Sequence, residues 1–381
     1  MPVDVSSVRS TVSRLASLPP GPEPFVTLYL DMRSGSTGSH PGLTYLRGAL
    51  ARLERAFGVR GAALDSFRAD SARIQSYLDT EFDPAHQGVA VFACHARGVF
   101  EAIPLALGPE NQFTVAQSPK LYQMTRFLDD YTTYCVALLS RTGARVFTVA
   151  LGDITTESTL HQSERHTSKN QGGGLSMGNY QRHVEHNIAD FAEEVAKVVA
   201  EICARQEIAR VVLGGEVVAL GALERALPAA LGKRAVSLEH MDAELPDHKV
   251  LLATLPVMAH AQAEQEVATV NDLLGLAAGG ELAVTGVEPT LYALQAGAAD
   301  KLVMADSFAA TGWRCTACTS YGSGGMPTLC PACQQPVVEV DLKESLAGNA
   351  VRLSIPIEYV RAGSALDAEE SVGAFLRYRL P

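Results

Sequence analysis

Four cysteines near the C-terminal end carry the clearest chemistry in this 381-residue chain: Cys315, Cys318, Cys330 and Cys333, in the stretch RCTACTSYGSGGMPTLCPACQQP. The spacing is C-x2-C-x11-C-x2-C. Each Cys-x2-Cys turn can present two thiolates to one tetrahedral ion, and a linker rich in Ser and Gly lets the chain double back. The expected occupant is zinc. Four thiolates fill its coordination shell and leave no position for a reacting water, so the metal is expected to be structural. Two paired motifs this close act together rather than as separate redox centres. The remaining cysteines, Cys94, Cys135 and Cys203, stand in apolar surroundings and read as small buried hydrophobes.

The second chemical feature is a polar tract, HQSERHTSKNQ, running into GGGLSMGNYQRHVE. Four of the ten histidines, His161, His166, His183 and His186, fall within it, beside Arg165, Lys169 and Arg182. The net charge is −11, which argues against attraction of nucleic acid by the molecule as a whole but leaves room for one basic projection. Arg165, His166, Lys169, Arg182 and His183 are the expected RNA-binding set, against the plainer reading of an ordinary polar loop. A metal site on His183 and His186 lacks further ligands. Ser176 with His183 has no nucleophile elbow around it. Gly214-Gly215 lacks the Lys-Ser/Thr of a phosphate loop and reads as structural.

The elements that must position these features alternate between strand and helix, which predicts an α/β (mixed α+β) layered fold. Phe25–Met32 reads as a strand, 44–57 and 62–78 as helices, and 88–107 as a hairpin turning near His95–Gly98. TTYCVALLS and ARVFTVALG read as strands joined at Arg141-Thr142-Gly143. A helix is expected over 179–205, with apolar positions Val184, Ile188, Phe191, Val195, Val198 and Ile202 at spacings 4, 3, 4, 3, 4. Strand 210–214 and helix 217–231 follow. Lys249–Thr254 reads as strand-like, 257–277 as a long helix stopped by Gly279-Gly280, 288–296 as a helix, and 301–305, 337–341 and 350–355 as strands. The N-terminus lacks the apolar core of a signal peptide, and no apolar run reaches membrane-spanning length. The expectation is a cytoplasmic protein that contacts no membrane.

The order of these parts resembles the archaeo-eukaryotic class-1 release factors and their Pelota-like relatives. It is most similar to the bacterial branch that includes the Balon-like ribosome hibernation factors. RTGARVFTVALGDI, followed by a polar tract, a glycine run and a long helix, looks like the family's middle domain. YQRHVE (180–185) is similar to the start of its long helix, GAADKLVMADSF (297–308) to the entry of its third domain, and SVGAFLRYRL (371–380) to that domain's closing strand. The resemblance implies three domains: 1–127, 128–278 with an RNase H-like fold, and 279–381 with a zinc ribbon inserted at 313–336. It also implies that Gln171, Gly172, Gly173, Gly174, Leu175, Ser176, Met177 and Gly178 form a loop reaching the peptidyl-transferase centre.

Release-active members carry Gly-Gly-Gln at the loop tip, and this chain has none. Gly174 or Met177, depending on the alignment pattern, stands where that glutamine would. Gln171 precedes the glycines and is the one weak catalytic candidate. Gln181 lies inside the helix start. The Asn-Ile-Lys-Ser element of stop-codon reading is also missing. The resemblance therefore implies a ribosome-binding factor that occupies the A site, contacts rRNA or tRNA, and meets elongation factor Tu or another translational GTPase. Occlusion during hibernation is the expected mechanism, with a monomer as the expected state. The alternative is a ribosome-rescue peptidyl-tRNA hydrolase.

Overall fold

The computed structural model describes residues 4–35, 40–56, 61–140, 143–161, 177–241, 243–318 and 320–380, with the backbone alone at 156 and 177–185. The chain divides into two compact units. One is built mainly from Tyr131–Met258, the other from Val5–Asp130 together with Ala259–Pro381. Among the described residues no helix is long and apolar enough to cross a membrane.

The N-terminal segment opens with α1 (Val5–Ala16), β1 (Phe25–Asp31), α2 (Pro41–Ala56) and α3 (Ala62–Thr80). It continues with β2 (Gly88–Cys94), β3 (Val99–Leu105), β4 (Gln112–Ala116) and α4 (Tyr122–Asp130). The strands form an antiparallel sheet in the order β3-β2-β1-β4. β1 and β2 carry apolar residues on both faces, as a sheet covered on both sides requires. One face packs Val26, Leu28, Leu30, Val89 and Val91 against Leu46, Leu64, Phe67 and Ile74 of α2 and α3. On the other, Tyr29 points at α4, taking the Met124 N–H (3.2 Å) and donating to the Lys120 carbonyl (2.9 Å).

The middle unit contains β5 (Tyr134–Leu139), β6 (Gly143–Ala150), β7 (Asp153–His161), α5 (Met177–Arg205) and β8 (Val211–Gly215). It continues with α6 (Val217–Ala226), α7 (Ala229–Gly232), β9 (Ala235–Glu239) and the start of α8 (Asp247–Ala278). The sheet order is β7-β6-β5-β8-β9. β5, β6 and β7 form an antiparallel meander, and β8 and β9 add in parallel. That mixed order is the RNase H-like arrangement. Its helices cover both faces because β5 and β8 are apolar at every position. α5 and α6 bury Phe191, Val195, Val199, Ile202, Ala219 and Leu223 on one side. Met241, Val250 and Met258 close the other over Val136, Leu138 and Val212.

The C-terminal segment runs from the end of α8 through β10 (Ala283–Thr285), α9 (Val287–Gln295), β11 (Ala299–Ala305), β12 (Thr311–Cys315) and β13 (Tyr321–Ser323). After these come β14 (Val337–Asp341), α10 (Leu342–Arg352), β15 (Ile357–Val360) and β16 (Val372–Leu376). The main sheet is β10-β16-β11-β15, with only β11 and β15 parallel. α9 and α10 pack Leu291, Leu294, Leu346 and Ala350 on one face, and Val270 and Leu273 of α8 pack on the other. β13-β12-β14 form a separate small sheet.

Two expected strands are helices. Lys249–Thr254 lies inside α8, and Ala350–Arg352 ends α10, with the following strand displaced to Ile357–Val360. Both are short apolar runs, which periodicity cannot assign to strand or helix. Pro256 hides the continuity of α8, because proline removes an intrahelical donor and reads as a stop. The helix expected over 217–231 breaks at Pro228. β7 went unread because DITTESTLH is polar: it is an edge strand, pairing through β6 alone.

Within the second unit, a polar seam fixes α4 on β15. Thr125 Oγ1 and the Tyr359 hydroxyl lie 2.6 Å apart. Tyr359 N–H donates to Asp129 Oδ2 at 2.8 Å. Arg126 bridges Asp130 (3.1 Å) and Asp306 (2.5 Å). Tyr122 N–H donates to the buried Glu344 carboxylate at 3.1 Å.

Candidate functional site

The four cysteines converge. β12 delivers Cys315 at its end, the following turn carries Cys318, and a second turn before β14 carries Cys330 and Cys333. One sulfur from each of the four lies within 4.8 Å of the other three. Cys315 and Cys333 Sγ are 3.4 Å apart, Cys318 and Cys330 Sγ 3.6 Å. Tetrahedral zinc at about 2.3 Å from each thiolate would set sulfur–sulfur edges near 3.8 Å, so the donor set has the required span.

The backbone around the sulfurs also suits thiolates. The N–H groups of Ala317 and Cys318 both point at Cys315 Sγ from 3.3 Å. Such donors stabilise the charged form of an acceptor. The Ser320 hydroxyl, 3.2 Å from Cys318 Sγ, and the Ser320 N–H draw the Cys318 thiol down to about 6. The second turn closes as Cys330 N–H donates to the Gln335 carbonyl (2.8 Å) and Gln334 N–H to the Cys330 carbonyl (2.9 Å), with Gln334 left-handed at φ 59°. Trp313 lies across Gly322, where a Cβ would stand 2.4 Å from its ring. The four residues can hold a metal ion. Cys94, Cys135 and Cys203, the other thiols, are buried in the apolar core.

The glycine tract stands differently. Arg165, His166, Lys169, Gln171, Gly172, Gly173, Gly174, Leu175 and Ser176 lie outside the described residues. Met177, Gly178, Arg182 and His183 fall in the first turns of α5, where the backbone alone is described. The tract's two anchors are defined. On the upstream side, β7 pairs with β6 along its whole length to His161↔Gly143. Arg145 of β6 reinforces it, binding Glu157 of β7 (2.7 Å), Asp247 (2.7 Å) and the Leu245 carbonyl (2.8 Å). On the downstream side, α5 is fixed by Ile188, Phe191, Val195 and Ile202 as its periodicity required, with Val199 also buried and Val198 packed at the margin. His186 is exposed, one turn from Asp190 at 3.7 Å. Arg145 was invisible as a fastener in the sequence, because its partners are 12 and about 100 residues away.

Gly214 and Gly215 hold β8 against β5. A Cβ on Gly215 would meet the Leu139 carbonyl oxygen at 2.2 Å, and one on Gly214 the Leu138 side chain at 2.6 Å. Close strand packing accounts for both glycines.

Residues 119–259, which contain the whole of this sheet and both anchors of the tract, match the family model of the bacterial archaeo-eukaryotic release factors, family 10. Over that segment the chain belongs to the bacterial archaeo-eukaryotic release factors. No curated protein sequence matches it. Solved structures that it is similar to include the archaeal translation termination factor aRF1, at 14% identity over 98% of each chain with a TM-score of 0.27. Dom34 of S. cerevisiae matches at 10% identity, over 79% of this chain and 84% of that one, with a TM-score of 0.40. Archaeal Pelota, from a ribosome-bound model with ABCE1, matches at 11% over 100% and 96%, with a TM-score of 0.41. The fold assignment stands on the strand order of the middle sheet.

Proposed function

We propose that this release-factor-like chain binds the ribosome in the A site and directs its glycine tract toward the peptidyl-transferase centre. The observation that carries the reading is the family match over 119–259, coincident with an RNase H-like sheet whose β7 and α5 bracket the tract. A chain anchored at both ends and rich in glycine between them can enter a narrow channel and order there, at an entropic cost. Gln171 and Gly172–Gly178 are the proposed tip, with Arg165, His166, Lys169, Arg182 and His183 on RNA phosphate.

Without a Gly-Gly-Gln, the proposed action is occlusion, as in ribosome hibernation, rather than peptide release. The chain acts in the cytoplasm as a monomer of three domains, 1–127, 128–278 and 279–381. The third is braced by zinc on Cys315, Cys318, Cys330 and Cys333, and it meets elongation factor Tu or another translational GTPase.

The test is co-sedimentation of the full chain with purified vacant ribosomes across a salt series, beside a variant lacking His166–Asn179. The expected result is saturable, salt-sensitive binding that the deletion weakens. Peptide release from ribosome-bound peptidyl-tRNA is expected to stay at background. Absence of pelleting at low salt, with or without elongation factor Tu, would sink the A-site reading.

A further inference from the structure

Arg314 and Arg352 stand out electrostatically. Most arginines with a partner in this unit are neutralised by a carboxylate: Arg14 by Glu101, Arg68 by Glu54, Arg73 by Glu81, Arg126 by Asp130 and Asp306, Arg377 by Asp300. Among the described residues, neither Arg314 nor Arg352 has a carboxylate oxygen within 4 Å. The chain carries a net charge of −11, so carboxylates are plentiful and their absence here is a local arrangement.

The two arginines come to one place from different elements. Arg314 is the central strand residue of the ribbon, registered directly opposite Tyr321 of β13 and Val338 of β14. Its neighbours in sequence, Trp313 and Cys315, belong to the small cluster on the other side of the strand. Tyr321 packs against the core that α10 helps to form, and Arg352 is the last residue of α10. Arg352 is held by the Asn349 side chain, which accepts from Nη2. Gln295 of α9 fixes the Tyr321 backbone, donating to its carbonyl at 2.9 Å. Burial raises the Tyr321 phenol, and the guanidiniums of Arg314 and Arg352 pull it back, so both act on the same hydroxyl.

Two cations held side by side repel each other, and an anion between them relieves the repulsion. Guanidiniums offer planar, paired donors that match phosphate oxygens. We propose that Arg314, Arg352 and the Tyr321 hydroxyl form a binding site for a single phosphodiester group of RNA. The identification of the ligand as RNA rests on the ribosome-binding reading above. The site places an RNA contact on the ribbon, far along the chain from the glycine tract.

The test uses the full metal-loaded chain and the variants Arg314→Gln, Arg352→Gln and the double variant. Unchanged metal content and unchanged Trp313 emission (the chain has one tryptophan) show that each ribbon is folded. Ribosome affinity is measured across salt. Either single variant is expected to bind about tenfold more weakly, and the slope of log K against log salt to fall by roughly one. The double variant is expected to lose no further slope, because both arginines serve one phosphate.

Unchanged affinity and slope would overturn the proposal. So would a slope loss of about two in the double variant, which means two separate contacts. Weaker binding at unchanged slope would assign the arginines to carboxylates of a ribosomal protein instead. Should the unaltered chain fail to bind ribosomes, the A-site reading falls alone. The site is then tested on a short RNA duplex by Trp313 emission: a salt-sensitive response lost in both single variants sustains it, and no response refutes it.

Discussion

The ribbon and the middle sheet are neighbours in sequence logic but opposites in what holds them. The middle sheet has helices on both faces, and its two buried clusters draw on every strand except the edges. The ribbon has three strands of 5, 3 and 5 residues, and its own buried cluster is Trp313, Cys315 and Cys330. A module that small cannot bury enough apolar surface to offset chain entropy, so a cross-link must substitute for a core. In the ribbon, two of the three cluster residues are themselves ligand positions. Metal and core are therefore one structure there, whereas the middle sheet is independent of both.

The largest effect that tests this contrast is metal removal. Chelation, or Cys330→Ser, is expected to unfold the ribbon outright, since metal binding free energy in such modules is folding free energy. Trp313 is 9% exposed, so its emission should shift strongly to the red. Helical circular dichroism should barely change, because no helix lies between β12 and β14. An emission maximum that stays put in metal-free protein would mean that the ribbon stands on its packing, and the comparison would fail.

The reciprocal experiment weakens the sheet and leaves the ribbon alone. Phe191 of α5 is 4% exposed and lies in the larger middle cluster. Phe191→Ala is expected to cost about 3–5 kcal/mol. Thermal melting followed by helical signal should show the loss, and Trp313 emission at low temperature should be unaltered. A change in Trp313 emission at low temperature would show that the two regions are energetically joined.

The sequence was legible where one physical rule acted alone. The cysteine spacing specified the convergence of four sulfurs, because short Cys-x2-Cys turns leave little freedom. The stripe from Ile188 to Ile202 specified the buried face of α5 for the same reason. Legibility failed where tertiary context decided. Lys249–Thr254 is apolar enough for either state, and it is helical because it closes one face of the middle sheet with Val250. β7 is polar because it is an edge, and only its pairing with β6 makes it a strand. Arg314, Arg352 and Tyr321 are separated by up to 38 residues in sequence, so nothing local marks them as a group. The glycine tract itself lies outside the described residues, and its role rests on its anchors and on the family.

The polar seam between α4 and β15 is a third way of holding structure together, and it yields the smallest and most selective effect. Asp129 is buried, and burial pushes its carboxyl up to about 7, with Asp130, Glu358 and Glu266 adding repulsion and the Tyr359 N–H opposing the rise. Between about pH 4 and pH 7 the unfolded chain carries Asp129 ionised while the folded chain keeps it protonated. The folded state then binds the extra proton, so this residue's contribution to stability is present below the unfolded pKa and is lost as pH rises through about 7. Asp129→Asn keeps an oxygen to accept the Tyr359 N–H and removes the charge. Urea midpoints for the variant and the unaltered chain should nearly coincide at pH 5. At pH 8 the variant should be more stable by about 1–3 kcal/mol. If the variant is instead weaker by the same amount at both pH values, the seam depends on Asp129 as a charge, and its apparent cost is offset by partners such as Arg126. In that event the seam would belong with the ribbon, as a region held by its charged groups, rather than with the apolar middle sheet.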